Sequence, residues 1–294
     1  MTTTTQTLTD EQLDQFHRDG YLILRGFLSR VEATAWREHF MELHARGPVE
    51  EYFNPRPLEE ADGDMLKAYP RMLMPHRWDE TSKEYFLDAR LGPNLQDLLG
   101  EEPLAAQSMF YFKPPGARGQ ALHQDDFYLR TAPGRCLAAW LSLDDTDSEN
   151  GGLSVVPGSH KLPILCPHAA DLRRSFTIEE VDVPEGLEAV PVELQQGDIM
   201  FFAGNVIHGS QPNVTPDRFR RSFICHYVPR STESMSSWYT ELFRFNGEPV
   251  PCEDNSQGGG GPCGTEEIEA MRAGVLAQGE LARVGIEQGA IGLP

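Results

Sequence analysis

The residues best suited to carry chemistry in this chain are His123 and Asp125, with Gln124 between them. If Leu122-His123-Gln124-Asp125-Asp126-Phe127 runs as a strand, positions 123 and 125 leave the same face and position 126 points away. An imidazole and a carboxylate then share one space. Two such donors hold a divalent cation poorly, so a third has to come from a distant part of the chain. His208, inside Phe201-Phe202-Ala203-Gly204-Asn205-Val206-Ile207-His208-Gly209, can supply it. Two histidines and one carboxylate fill one triangular face of an octahedron and leave the opposite face open, which is the arrangement of non-haem Fe(II) oxygenases. Asp126 is expected beside the metal or substrate rather than as a fourth ligand, and Gln124 is expected to be structural.

The surroundings of these residues resemble a known family. In order along the chain stand Ser108-Met109-Phe110-Tyr111-Phe112-Lys113-Pro114-Pro115, His123-Gln124-Asp125, Ala139-Trp140-Leu141-Ser142-Leu143-Asp144-Asp145 and Glu149-Asn150-Gly151-Gly152-Leu153-Ser154-Val155-Val156-Pro157-Gly158-Ser159-His160. Gly197-Asp198, His208-Gly209-Ser210 and Arg218-Phe219-Arg220-Arg221-Ser222 follow. Together, from about Leu8 to about Pro229, they resemble the phytanoyl-CoA dioxygenase family of Fe(II)/2-oxoglutarate-dependent oxygenases. The resemblance implies a mainly β fold with flanking helices, a double-stranded β-helix (jelly roll, cupin-like). It implies Fe(II) held by His123, Asp125 and His208, with 2-oxoglutarate as co-substrate and O2 as oxidant.

The distal carboxylate of 2-oxoglutarate calls for a planar, permanently charged fork. The family's arginine lies about eleven residues past the distal histidine, with a small hydroxyl residue two positions later in many relatives. Arg220 with Ser222 fits best and Arg218 is the alternative; Arg221 is expected to face solvent. By the same resemblance Met109, Trp140 and Ser210 line the 2-oxoglutarate site. Lys113, Tyr128 and Arg130 are candidate substrate contacts, whereas His160 and His226 are expected to be hydrogen-bonded structural histidines.

The implied activity is hydroxylation of an unactivated C–H of a small molecule, with release of succinate and CO2. Desaturation or cyclisation in a biosynthetic pathway is the alternative within the chemistry. A non-oxidative cupin-like metal-binding protein or hydrolase is the alternative outside it, and that would not need Arg220. Halogenation is disfavoured because Asp125 is present where halogenases carry a small residue. The substrate pocket is expected from about Tyr52 to Trp78 and Pro229 to Gly264.

The elements that must position these groups are legible in outline. Thr9-Asp10-Glu11-Gln12 is a capping box opening a helix to about Arg18. Tyr21–Leu24 is a short strand, and Ala33, Trp36, Phe40 and Leu43 recur at helical spacing within about 30–45. His39 and His44 on that helix are expected to be structural. Residues 47–64 form a loop, a helix capped by Thr81 or Ser82 runs to about Ala89, and Pro93 and Gly100 frame another. Strands are expected from about Ala105, at Leu137–Leu143, Leu153–Val156, Ile199–Phe202 and Phe219–Val228. Short strands between Gly and Pro turns point to a sandwich or jelly roll. The whole chain, 1–294, is expected as one oxygenase domain: helical from about 8 to 100, jelly roll from about 104 to 230, then an extension from 231 to 294. Residues 246–264 are expected to be a glycine-rich connector, with an active-site flap as the alternative, and Thr265 is expected to cap a helix to about Val284.

Composition limits the partners. The formal net charge of −20 repels nucleic acid and anionic lipid, and weighs against a bulky polyanionic substrate such as an acyl-CoA. An odd number of cysteines without CxxC spacing argues against a disulfide scaffold and a structural zinc site. The N-terminus lacks the basic and apolar regions of a signal peptide, and no apolar run is long enough to span a membrane, so a cytoplasmic protein is expected.

Overall fold

Two stretches buried at every position, Leu137–Ser142 and Ser222–Pro229, form the middle of a sheet that is covered on both faces. The structure, a computed structural model, describes residues 8–255 together with Cys263 and Ala270. Among them the larger sheet contains β1 (Tyr21–Leu24), β2 (Met72–Leu73), β3 (Pro103–Tyr111), β5 (Leu137–Ser142), β8 (Ile199–Ala203), β10 (Ser222–Pro229), β11 (Glu241–Phe243) and β12 (Pro249–Pro251). Its order is β1-β8-β5-β10-β3-β11-β12, with β2 also paired to β3. The smaller sheet contains β4 (Gln120–His123), β6 (Leu153–Val155), β7 (Val190–Pro191) and β9 (His208–Ser210), in the order β4-β9-β6-β7. Pairing within both sheets is antiparallel.

Strand alternation sorts the large sheet into two environments. Ala139, Leu141, Phe201, Phe223, Cys225 and Tyr227 face outward into a core shared with helices α1 (Asp10–Asp19), α2 (Arg30–Arg46), α3 (Glu80–Phe86) and α4 (Leu91–Leu99). Ala138, Trp140, Met200, Phe202 and Ile224 face inward, where Leu153 and Val155 of the small sheet meet them. Two antiparallel sheets closing on one interior, with helices on one outer face, make a jelly-roll core.

The helices begin where their caps dictate. Thr9 and Gln12 complete a capping box at α1, and Ser29 and Glu32 complete another at α2. Gly20 ends α1 at φ 83°, a conformation that only glycine adopts without strain. The α2 stripe of Ala33, Trp36, Phe40 and Leu43 is buried, and Phe40 stacks on Phe110 with centroids 4.2 Å apart. His39 meets the Asp79 carboxylate at 2.7 Å and His44 the Ala68 carbonyl at 2.8 Å, both structural as expected.

Four expectations need correction. The helix placed after Thr81 or Ser82 is capped by Asp79, whose carboxylate accepts from the Ser82 N–H at 2.7 Å, and it ends at Phe86. The strand placed from Phe219 starts at Ser222, because the backbone N–H groups of Arg220 and Arg221 leave the ladder for the Lys113 carbonyl and the Asp144 carboxylate. Part of the expected connector is paired: Pro249–Pro251 lies on β11, and Glu253–Asp254 runs parallel to Ser234–Met235. Residues 256–262 and, apart from Ala270, the helix expected after Thr265 lie outside the described residues. Finally, Cys166 and Cys263 form a disulfide with Cα atoms 5.4 Å apart. A separation of 97 residues offers no local spacing signal. No helix of the described residues is long and apolar enough to cross a membrane.

Replacing Phe40 by Ala removes a fully buried ring from the centre of the helix-facing core. The expected cost is about 3–5 kcal/mol in urea-induced unfolding, with the midpoint falling accordingly. A loss under about 1 kcal/mol would show that this face is not the core of the fold.

Candidate metal centre

The small sheet sets two imidazoles against one another. His208 pairs directly with His123 in the β9–β4 register, and their ring centroids lie 4.2 Å apart. The strand stops at His123, which corrects the expectation that strand alternation aligns Asp125 with it. Asp125 has helical backbone angles (φ −63°, ψ −36°) at the head of the single turn α5 (Asp126–Leu129). That turn brings its Oδ1 within 3.5 Å of His123 Nε2 and 3.7 Å of His208 Nε2. One donor atom from each residue lies within 4.8 Å of the other two, and all three residues are buried.

Hydrogen bonds behind the donors fix their direction. His123 Nδ1 lies 2.9 Å from the Ala121 carbonyl and His208 Nδ1 3.0 Å from the Val206 carbonyl. A carbonyl only accepts, so each Nδ1 carries the proton and each Nε2 turns its lone pair inward. The outer oxygen of Asp125 accepts from His226 Nε2 at 2.9 Å. Burial opposes ionisation of Asp125, but His208, His226 and His123 outweigh it and hold the carboxyl well below its usual range. Burial lowers His208 to about 4, with Asp125 only partly compensating, so its imidazole is neutral near pH 7. Two inward lone pairs and one carboxylate oxygen fit a divalent metal.

Arg220 lies in the same pocket, 3% exposed. Its Nε donates to the Gly151 carbonyl at 3.0 Å, its Nη1 to Ser222 Oγ at 2.8 Å, and its guanidinium sits 5.3 Å from the Trp140 ring centroid. Among the described residues no carboxylate lies within ion-pair distance of it. Burial draws its pKa down to about 10, which leaves it charged at neutral pH. Lys113 is also buried and donates to Ser210 Oγ at 2.7 Å; burial first and then Arg220 hold its pKa well below the ordinary lysine range. A buried guanidinium without a counter-ion is a costly arrangement unless an anion joins it.

The structure brings His123, Asp125, His208, Arg220, Ser210, Trp140 and Met109 to one pocket, and Ser222 supports Arg220 from behind. Arg218 is elsewhere, paired with Asp147 at 2.7 Å and Glu149 at 3.1 Å, and Arg221 is paired with Asp144 at 2.8 Å rather than free in solvent. Tyr128 lines the pocket, whereas Arg130 does not. Asp126 departs from its expected place beside the metal: it turns away to accept from the Cys136 N–H at 3.0 Å, and burial raises its carboxyl to about 6. Gln124 is structural as expected, donating to the Asn205 carbonyl and accepting from the Leu165 N–H. His160 is structural too, at 3.2 Å from the His17 carbonyl. His226 was expected to be only structural, yet it touches the metal-facing carboxylate. The period-2 pattern Ser222, Ile224, His226 is the signal that places it inward. Arg71, Gln107 and Tyr239 also line the pocket and were not singled out from the sequence.

Comparison with known proteins agrees with this geometry. The family model "Phytanoyl-CoA dioxygenase (PhyH)" matches residues 16–222. The rice protein "Phytanoyl-CoA dioxygenase 1" is 30% identical over 247 residues, covering 71% of this chain and 85% of that protein. Among solved structures, the epimerase SnoN from nogalamycin biosynthesis, in complex with Fe3+, alpha ketoglutarate and nogalamycin RO, is similar at TM-score 0.61 and 22% identity, over 76% of this chain and 84% of SnoN. EctD from S. alaskensis with 2-oxoglutarate and 5-hydroxyectoine is similar at TM-score 0.61 and 23% identity, over 79% of this chain and 80% of EctD.

Asp125→Ala is expected to lose the metal, read as Fe(II) per chain after anaerobic loading and desalting, while Asp126→Ala keeps it; the reverse result would refute the ligand assignment. Asp126 also predicts a pH effect. Its folded-state pKa is raised, so its contribution to stability is fully present below about pH 4 and lost as pH rises through 6. Asp126→Asn does not titrate and keeps an acceptor for Cys136. Its stability relative to the unmodified protein should therefore rise by about 2 kcal/mol between pH 4.5 and 7.5 in urea melts. A flat difference would contradict the buried-carboxyl account.

Proposed function

The chain belongs to the phytanoyl-CoA dioxygenase family, and from that premise we propose that it hydroxylates an unactivated C–H of a small-molecule substrate as an Fe(II)/2-oxoglutarate-dependent oxygenase. The observation that carries this reading is the pairing, in one pocket, of a three-donor metal set with a buried guanidinium that has no anionic partner among the described residues. Fe(II) bound there with 2-oxoglutarate and O2 supplies oxidative decarboxylation to succinate and CO2, together with the oxidising power for the C–H.

The chain's own residues have separable tasks in this reading. His123, Asp125 and His208 hold the metal on one face and leave the other open. His226 keeps Asp125 ionised and fixed in orientation. Arg220 receives the distal carboxylate of 2-oxoglutarate, with Ser222 and the Gly151 carbonyl holding the fork in place. Lys113 orients the Ser210 hydroxyl toward the same end, while Trp140 and Met109 wall the space and exclude water. SnoN is described as an epimerase, so product analysis must separate a mass gain of one oxygen from isomerisation, desaturation and ring closure. Retention of Asp125 and its His226 partner supports oxygen insertion over halogenation.

Anaerobic addition of Fe(II) and 2-oxoglutarate should produce a weak visible charge-transfer band, and His208→Ala should abolish it. No band in folded, iron-loaded protein would overturn the reading. Arg220→Ala leaves a buried carboxylate unpaired, a loss of about 3–5 kcal/mol, so the 2-oxoglutarate Michaelis constant should rise a few hundred-fold or more. Arg221→Ala, whose partner Asp144 lies outside the pocket, should leave that constant nearly unchanged. Equal effects would show that Arg220 does not hold the co-substrate.

A further inference from the structure

Arg71 is the second guanidinium lining this pocket, beside Arg220, and nothing in the reading above uses it. It precedes β2, whose pairing with β3 sets it beside Tyr111. Its Nη1 donates to Tyr111 Oη at 3.3 Å, and its guanidinium stands 5.6 Å from the Phe176 ring centroid. Among the described residues no carboxylate lies within ion-pair distance of it. Burial acts to lower its pKa, but the hydroxyls of Tyr111, Tyr239 and Tyr128 outweigh burial and leave it raised, so it is charged. The same three tyrosines and Trp238 line the pocket, and Arg77 holds Trp238 in place by donating to its carbonyl at 3.1 Å.

Gln107 lines the pocket at 5% exposure, and its side chain hydrogen-bonds with Tyr239.

Charge balance identifies what is missing. Fe(II) with the Asp125 carboxylate leaves one positive charge, and 2-oxoglutarate brings two negative ones. Arg220 and Arg71 add two positive charges, so the filled pocket keeps a net positive charge even with Lys113 neutral. In a low-dielectric site such an excess is costly, and one anionic group closes it.

We propose that Arg71 is the specificity-determining residue for the primary substrate: it receives a substrate carboxylate, while an apolar or aromatic body packs against Tyr111, Tyr128, Trp238 and Tyr239. This inference rests on the oxygenase reading, because it assigns Arg220 to 2-oxoglutarate and leaves Arg71 for the substrate. The substrate class is a small monocarboxylate rather than a neutral or cationic molecule.

The test is calorimetric titration of protein loaded with Mn(II) and saturating 2-oxoglutarate, which fills the Arg220 end without turnover. The probes are benzoate and cyclohexanecarboxylate, each against its primary amide. The carboxylates should bind about tenfold tighter or better than the amides, consistent with a charge-assisted pair. Arg71→Gln should erase that preference with an unchanged circular dichroism spectrum, and Arg71→Lys should retain part of it. The 2-oxoglutarate dissociation constant should stay within about threefold in Arg71→Gln while Arg220→Gln raises it on the order of a hundredfold. The inference is overturned if neither carboxylate outbinds its amide, or if the preference survives Arg71→Gln. It is also overturned if Arg71→Gln weakens 2-oxoglutarate as much as Arg220→Gln does, since Arg71 would then serve the co-substrate. Failure of the unmodified protein to take up 2-oxoglutarate with Mn(II) is a different result, and sinks the oxygenase reading itself.

Discussion

The pocket depends on one carboxylate buried among histidines. Asp125 is stripped of water, and the donor that reaches its carboxylate is His226 Nε2 at 2.9 Å. His226 donates to the outer oxygen, so the inner oxygen remains turned toward the two Nε2 atoms. The two backbone carbonyls behind His123 and His208 settle which nitrogen is free. Remove the His226 contact and Asp125 can rotate; remove the carbonyls and the imidazoles can flip. Each loss would leave the residue types intact and the site disordered.

That arrangement needs a scaffold that does not shift. The large sheet supplies it by being buried twice, against the helices through Leu141, Phe223 and Tyr227 and against the small sheet through Trp140 and Ile224. β10 links the two: its inward positions run from Ser222, which braces Arg220, to His226, which braces Asp125. One strand therefore sets the distance between the metal end and the guanidinium end. Other parts of the lining come from elsewhere, from Leu73 of β2 and from Trp238 and Tyr239.

The candidate metal donors were legible from residue type and spacing only together with the family motifs around them, and the reason given for Asp125 was wrong: a helical turn, not a strand face, presents it. Arg220 was separable from Arg218 only by family spacing. The acidic run Asp147 to Glu149 that claims Arg218 is close to it in space and not in sequence. His226 was set aside because a lone histidine in an apolar strand is usually structural; alternation shows which way it points, not what it meets. Arg71 lies in the stretch expected to wall the pocket but was not singled out within it, since only the β2–β3 pairing shows which residue of that stretch turns inward. The Cys166–Cys263 disulfide escaped for the same reason, as contacts between distant segments leave no periodic trace. The outer core, by contrast, could be read directly from the spacing of Trp36, Phe40 and Leu43.

The most direct measurement of the central claim is mass spectrometry of succinate formed from 2-oxoglutarate under 18O2 with Fe(II)-loaded protein. The account predicts succinate carrying one 18O atom, dependent on iron and abolished in His208→Ala. Succinate without the label, or none above the iron-free control, would contradict it.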